Sequence, residues 1–148
     1  MSRFVNRTEV KKMVVEEIMS RNPFAVQVTE SLGKVMGMLR EADIRHLPVL
    51  EGDTLVGIVS DRDVRSYELP ALLELDDPSR ARTLLKTPIG DIMSSDVVSV
   101  NPETDVGELI DLMIEQKIGA VPVVDLESTE LVGIVSYIDA LRAARDSL

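Results

Sequence analysis

The chain has 148 residues, 45% hydrophobic and 28% charged, the composition of a folded domain with a core and not of a disordered segment. Its formal charge of −10 argues against binding a nucleic-acid backbone. The absence of cysteine, with one histidine, argues against disulfides, thiolate sites and a zinc centre.

Residues 1–13 are polar and of mixed charge and read as an N-terminal tail or helix. A short strand is expected over 24–28, followed by a helix with Thr29 as N-cap and Leu32, Val35, Met36 and Leu39 at helical spacing. The apolar runs 47–50 and 55–59 flank Glu51-Gly52-Asp53-Thr54, a hairpin signal, and a helix over about 61–67 follows. A connector containing Pro70, Pro78 and Pro88 comes next, with a short helix near 81–86. The pattern then returns. A strand over 97–100 leads to Asn101 as N-cap and Pro102 at the first helical position. Val106, Leu109, Ile110 and Met113 fall at helical spacing, strands over 121–124 and 131–135 form a second hairpin, and a helix over 137–144 closes the copy. No apolar run reaches the ~20 residues that span a bilayer, and no signal-type stretch opens the chain. A cytoplasmic protein with neither membrane nor nucleic-acid partners is expected.

The return is a duplication. Ile18-Met19-Ser20 matches Ile92-Met93-Ser94, and Pro48-Val49 matches Pro122-Val123, at an offset of 74 residues (18 to 92). Leu55-Val56-Gly57-Ile58-Val59-Ser60 with Asp63 then matches Leu131-Val132-Gly133-Ile134-Val135-Ser136 with Asp139, at an offset of 76 (55 to 131). The change of offset falls in the hairpin turn, where length varies at little cost. Each copy therefore reads as β-α-β-β-α.

The landmarks Ile-Met-Ser, His46-Leu47-Pro48-Val49 and Gly-Ile-Val-Ser with its trailing aspartate resemble the CBS domain, and the tandem resembles a Bateman module. The chain divides into a segment 1–13, CBS unit 1 at 14–66, a linker at 67–87, CBS unit 2 at 88–144 and a C-terminal end at 145–148. The resemblance implies an α/β (α+β) fold, two units packed through their sheets with pseudo-two-fold symmetry. It implies a cleft for adenosine derivatives: AMP, ADP, ATP or S-adenosylmethionine. It further implies a homodimer of four CBS units that senses ligand for a regulated partner protein, with no catalysis and no required cofactor.

Ser60-x-x-Asp63 and Ser136-x-x-Asp139 admit two compatible readings. Each fits a helix capping box. Each also offers a carboxylate whose two acceptor oxygens suit the vicinal hydroxyls of a ribose. The cations are not duplicated: Arg45, His46, Arg62 and Arg65 have Gly119, Ala120, Ile138 and Leu141 as counterparts. A phosphate-tolerant site around Asp63 and a poorer one around Asp139 are expected, although Arg45 could serve either. The resemblance adds Thr87, Asp91 and Met93 from the segment leading into copy two, and Phe24, Val26 and Val98 as adenine neighbours. No nucleotide-binding glycine loop, nucleophile elbow or zinc motif is present, so an enzyme is not expected. The alternative is a ligand-independent dimerisation or protein-interaction module with vestigial pockets.

Overall fold

The computed structural model describes residues 12–73 and 77–148, so the expected N-terminal tail or helix lies almost wholly outside the described residues. In chain order the elements are β1 (Ser20–Arg21), β2 (Val26–Gln27), α1 (Leu32–Glu41), β3 (His46–Glu51), β4 (Thr54–Ser60), α2 (Asp61–Leu73), α3 (Pro78–Leu85), α4 (Val106–Gln116), β5 (Ala120–Val124), β6 (Leu131–Ser136) and α5 (Tyr137–Asp146). Single 3-10 turns at Val15–Glu17 and Ile89–Asp91 open the two copies.

Two three-stranded sheets result, β2-β3-β4 and β1-β6-β5. Each hairpin is antiparallel, as its short polar turn requires, and β2 runs parallel to β3 through the crossover helix α1. One core collects Leu32, Val35 and Leu39 of α1 against Leu47, Val49 and Val59 of the first hairpin. The other collects Leu109 and Met113 of α4 against Val121, Val123 and Val135.

The lead-in segments are exchanged between the copies. Val15, at the start of copy one, is fully buried in the second core, while Ile89, at the start of copy two, is fully buried in the first. Ser20 pairs with Ile134 through β1 and β6, and Ser94 bridges Ile58 of β4. The backbone bonds are duplicated in the same way. Val15 N donates to Thr104 O (2.8 Å) and Val106 N to Met13 O (2.9 Å), while Ile89 N donates to Glu30 O (2.7 Å) and Leu32 N to Thr87 O (2.8 Å). The sequence repeat starts at 14 and 88, but each packing unit takes its first segment from the other copy's neighbourhood.

The exchange also corrects the helix starts. The N-cap of α1 is Ser31, whose side chain accepts from Lys34 N, and not Thr29. Helix α4 begins after Asp105 and not at Pro102. Asn101 instead caps a tight turn, its Oδ1 accepting from Glu103 N (2.8 Å), because the Pro102 carbonyl accepts from Glu16 N (2.9 Å) of the exchanged segment. The strand expected at 24–28 is confined to Val26–Gln27, and 97–100 is reduced to a parallel bridge between Val100 and Val123. The closing helix of copy one extends to Leu73, beyond the expected 67, and the connector helix is Pro78–Leu85.

Candidate functional site

Each Ser-x-x-Asp block stands where a strand turns into a helix, and in both copies the capping box forms. Asp63 N donates to Ser60 Oγ (3.0 Å) and Ser60 N to Asp63 Oδ2 (2.9 Å). Ser136 N donates to Asp139 Oδ2 (2.9 Å), which also accepts from Ser136 Oγ (3.1 Å), while Asp139 N donates to Ser136 Oγ (3.3 Å). In both aspartates the cap uses Oδ2, and Oδ1 accepts no hydrogen bond among the described residues. A second acceptor is thus held in place at a helix N-terminus and left available to a ligand.

What faces that acceptor differs between the copies. A cavity of about 310 Å³ lies between α1 and α2, but the one bordered by an available aspartate has about 410 Å³ and opens at Asp139. Its floor is Ser20, Ala120, Ile134 and Ser136, its walls are Ile44, Tyr137 and Ile138, and Asp43, Arg45 and His46 reach it from unit 1. Ser60, Arg62 and Asp63 do not border it. Arg45 therefore borders the Asp139 cavity, and His46 borders it too while also feeling the charge of Asp63. The hairpins begin side by side at the pseudo-two-fold. Gly119 abuts the His46 ring, and Arg45, the residue before the first hairpin, borders the cavity of the opposite copy's block. The backbone fixes both approaches symmetrically, with Asp61 N donating to Arg45 O (2.7 Å) and Tyr137 N to Gly119 O (2.8 Å).

The asymmetry has a steric and an electrostatic part. Where Ala120 leaves room in the Asp139 cavity, the equivalent residue of copy one is His46, and where Arg45 brings a cation to that cavity, the equivalent residue of copy two is Gly119. Among the described residues Arg45 makes no ion pair, whereas Arg65 is paired with Asp61 at 3.0 Å. Arg62 is exposed on the first turn of α2.

His46 stands on the seam between the two blocks. Burial lowers its pKa below the usual 6.5 and Arg45 acts in the same direction, while Asp63 and Asp61 oppose with a smaller pull. A histidine lowered on folding binds its proton more readily in the unfolded chain. Its contribution is therefore neutral above about pH 6.5, and stability is lost as pH falls through the folded pKa. Between pH 7.5 and 5.5 the wild type is expected to lose more melting temperature than His46→Gln; equal losses would remove His46 as the cause.

The remaining predicted site residues lie elsewhere. Phe24 is 61% exposed and Val26 is buried in the first core. Val98 borders a separate cavity of about 530 Å³ with Asn101 and Asp125 at the far end of unit 2. The Thr87 carbonyl accepts from the first turn of α1, Asp91 is exposed in its 3-10 turn, and Met93 packs against the first core. Ser20, Ile44, Ala120 and Ile134 were not singled out. Ser20 reaches the cavity only through the exchanged strand, which no local pattern announces. Among the described residues no group of three or more metal-binding side chains is assembled, and no helix is long and apolar enough to cross a membrane.

A family model for the CBS domain matches residues 15–69 and again 89–146. The chain belongs to the CBS domain family. It is 29% identical over 131 residues to a CBS domain-containing protein of Dictyostelium discoideum, a match covering 88% of this chain and 90% of that one. The CBS chain is also similar to two solved structures. One is the CBS domain pair of protein MJ0100 in complex with 5′-methylthioadenosine and S-adenosyl-L-methionine (TM-score 0.75, 26% identity, 93% of this chain and 100% of that one). The other is CBSX2 in complex with AMP (TM-score 0.73, 28% identity, 90% of this chain and 96% of that one). Other relatives are much longer: the chain spans 23% and 25% of two archaeal inosine-5′-monophosphate dehydrogenases.

Proposed function

We propose that this CBS pair is a cytoplasmic regulatory module that binds an adenosine nucleotide at Asp139 and modulates a partner protein, with no catalysis of its own. The observation that carries the reading is the pairing, in one 410 Å³ cavity, of the available Asp139 carboxylate oxygen with the unpaired Arg45 guanidinium. The volume is that of a small-molecule site. The ribose hydroxyls donate to Asp139, the adenine lies among Ile44, Ile134, Ile138 and Tyr137, and the phosphate meets Arg45. The bound AMP of CBSX2 and the adenosyl ligands of MJ0100 support an adenosine-containing ligand. A free cation here favours AMP, ADP or ATP over S-adenosylmethionine, whose sulfonium adds positive charge. The partner is a separate chain or a further domain, as in the dehydrogenases, and the module itself acts as a homodimer of four CBS units.

Calorimetry of nucleotide-stripped protein with adenosine, AMP, ADP, ATP and S-adenosylmethionine tests the proposal. Arg45→Ala should weaken AMP about tenfold or more, the loss of a charge-assisted hydrogen bond, and adenosine less than twofold. Equal losses for AMP and adenosine would overturn the role of Arg45. Absence of binding for all five ligands at millimolar concentration would overturn the function.

A further inference from the structure

At the end of the β5–β6 hairpin away from the Asp139 cavity lies another cavity, of about 530 Å³. That volume falls in the range of small-molecule sites. Val98, Leu112 and Leu126 give it apolar walls, and its charged lining is Glu108 and Asp125, with no lysine, arginine or histidine among the residues that border it. Asp125 is fixed by Glu127 N (2.8 Å) and Ser128 N (2.9 Å), which donate to its Oδ1. Glu108, on α4, has no hydrogen-bond or ion-pair partner among the described residues.

Copy one is built differently at the same place. The counterpart of Glu108 is Lys34, whose ammonium lies 3.6 Å from Glu30, itself the counterpart of Thr104. The counterpart of Asn101 is Gln27, which ties its strand to the hairpin turn: Gln27 Nε2 donates to Gly52 O (2.9 Å) and Gly52 N to Gln27 Oε1 (3.0 Å). In copy two that tie is absent. Asn101 is one methylene shorter and its Oδ1 accepts from Glu103 N, while the β5–β6 turn is two residues longer, the difference between the offsets of 76 and 74. A bridged end with an internal ion pair in copy one is thus replaced by an unbridged end with a lone carboxylate in copy two.

We propose that the 530 Å³ cavity is a small-molecule site for an organic ammonium ion with a short apolar body, separate from the nucleotide site at Asp139. The ammonium meets Glu108 and Asp125, and the body lies on Val98, Leu112 and Leu126, covering a leucine that is otherwise 66% exposed. A nucleotide or other anion does not suit a lining whose charges are both negative, in a chain of net charge −10 whose field attracts cations. A metal ion does not suit it either. Among the described residues no group of three or more metal-binding side chains is assembled, and apolar walls do not replace a hydration shell.

Amide-resolved titration of the full, isotope-labelled chain with phenethylammonium chloride tests the proposal, with 2-phenylethanol as the neutral analogue of the same body. Saturable shifts should concentrate at Val98 to Asn101 and Asp125 to Thr129, with a dissociation constant of about 1 mM, ordinary for so small a ligand. The alcohol should bind about tenfold more weakly, for want of the charge-assisted hydrogen bond. Glu108→Gln should weaken the ammonium about fivefold and leave the alcohol unchanged, and Glu108→Lys, which installs the charge of copy one, should abolish ammonium binding. Glu108 is exposed, so both variants should keep the wild-type amide spectrum elsewhere. Equal affinity for ammonium and alcohol would overturn the cationic class. Shifts scattered over exposed carboxylates, or none by about 20 mM ammonium, would overturn the site. AMP should leave these amides unmoved in either event, so the outcome is read apart from binding at Asp139.

Discussion

Replacing Gly57 or Gly133 by alanine is expected to destabilise the protein by about 1–3 kcal/mol, the cost of forcing volume into a filled site. A Cβ on Gly57 would collide with Met93 Sδ and stand 2.8 Å from the Ser94 carbonyl oxygen; on Gly133 it would stand 2.5 Å from Met19 Sδ and 3.0 Å from the Ser20 carbonyl. The methionine can yield, but the backbone carbonyl is held by the exchanged pairing of Ser94 with Ile58 and Ser20 with Ile134. The Ile-Met-Ser and Gly-Ile-Val-Ser landmarks are thus two halves of one contact, each half supplied by a different copy. Double mutants separate this from packing within a copy. Met93→Ala should relieve part of the cost of Gly57→Ala and none of the cost of Gly133→Ala, with Met19→Ala showing the reverse pattern. Urea unfolding of the single and double variants reads the coupling. Coupling of Gly57 to Met19 would contradict the exchange.

Asp139→Ala is expected to weaken AMP about a hundredfold, the loss of two hydrogen bonds to a charged acceptor, whereas Asp63→Ala should leave AMP affinity within threefold. The comparison is internally controlled, because each variant loses one capping box and should lose a similar ~1 kcal/mol of stability. A difference in affinity beside an equal drop in melting temperature therefore reports the site and not the fold. Similar affinity losses in the two variants would mean that both blocks bind, or that neither does. Titration by calorimetry with matched thermal melts is the measurement.

The hairpins and crossover helices were legible because their signals are local. Leu47 to Leu50 and Leu55 to Val59 around a Gly-Asp turn could hardly form anything else, and the spacing of Leu32, Val35 and Leu39 fixed the buried face of α1. The Ser-x-x-Asp blocks were legible as caps for the same reason, and both caps form. The exchanged lead-ins were not legible. Val15 and Ile89 look like ordinary apolar residues, and only long-range pairing shows which core receives each. The helix starts at Ser31 and Asp105 shifted in consequence, since backbone groups at Glu30, Pro102 and Thr104 are committed to the incoming segment. The cationic asymmetry between the copies was visible in Arg45 and His46 against Gly119 and Ala120. The cavity that Arg45 and His46 border at Asp139 was not, because it depends on how the β3 and β5 strand starts oppose one another across the pseudo-two-fold. Phe24 is exposed and Val26 lies in the first core, and neither borders the cavity at the seam.

The central claim is one of location, and an amide-resolved nuclear magnetic resonance titration of isotope-labelled protein with AMP tests it most directly. Saturable shifts should concentrate at Ser20, Arg45, His46 and the Ser136 to Asp139 turn, and Arg45→Ala should attenuate them. Shifts concentrated at Ser60 to Asp63, with the Ser136 to Asp139 turn unmoved, would contradict it.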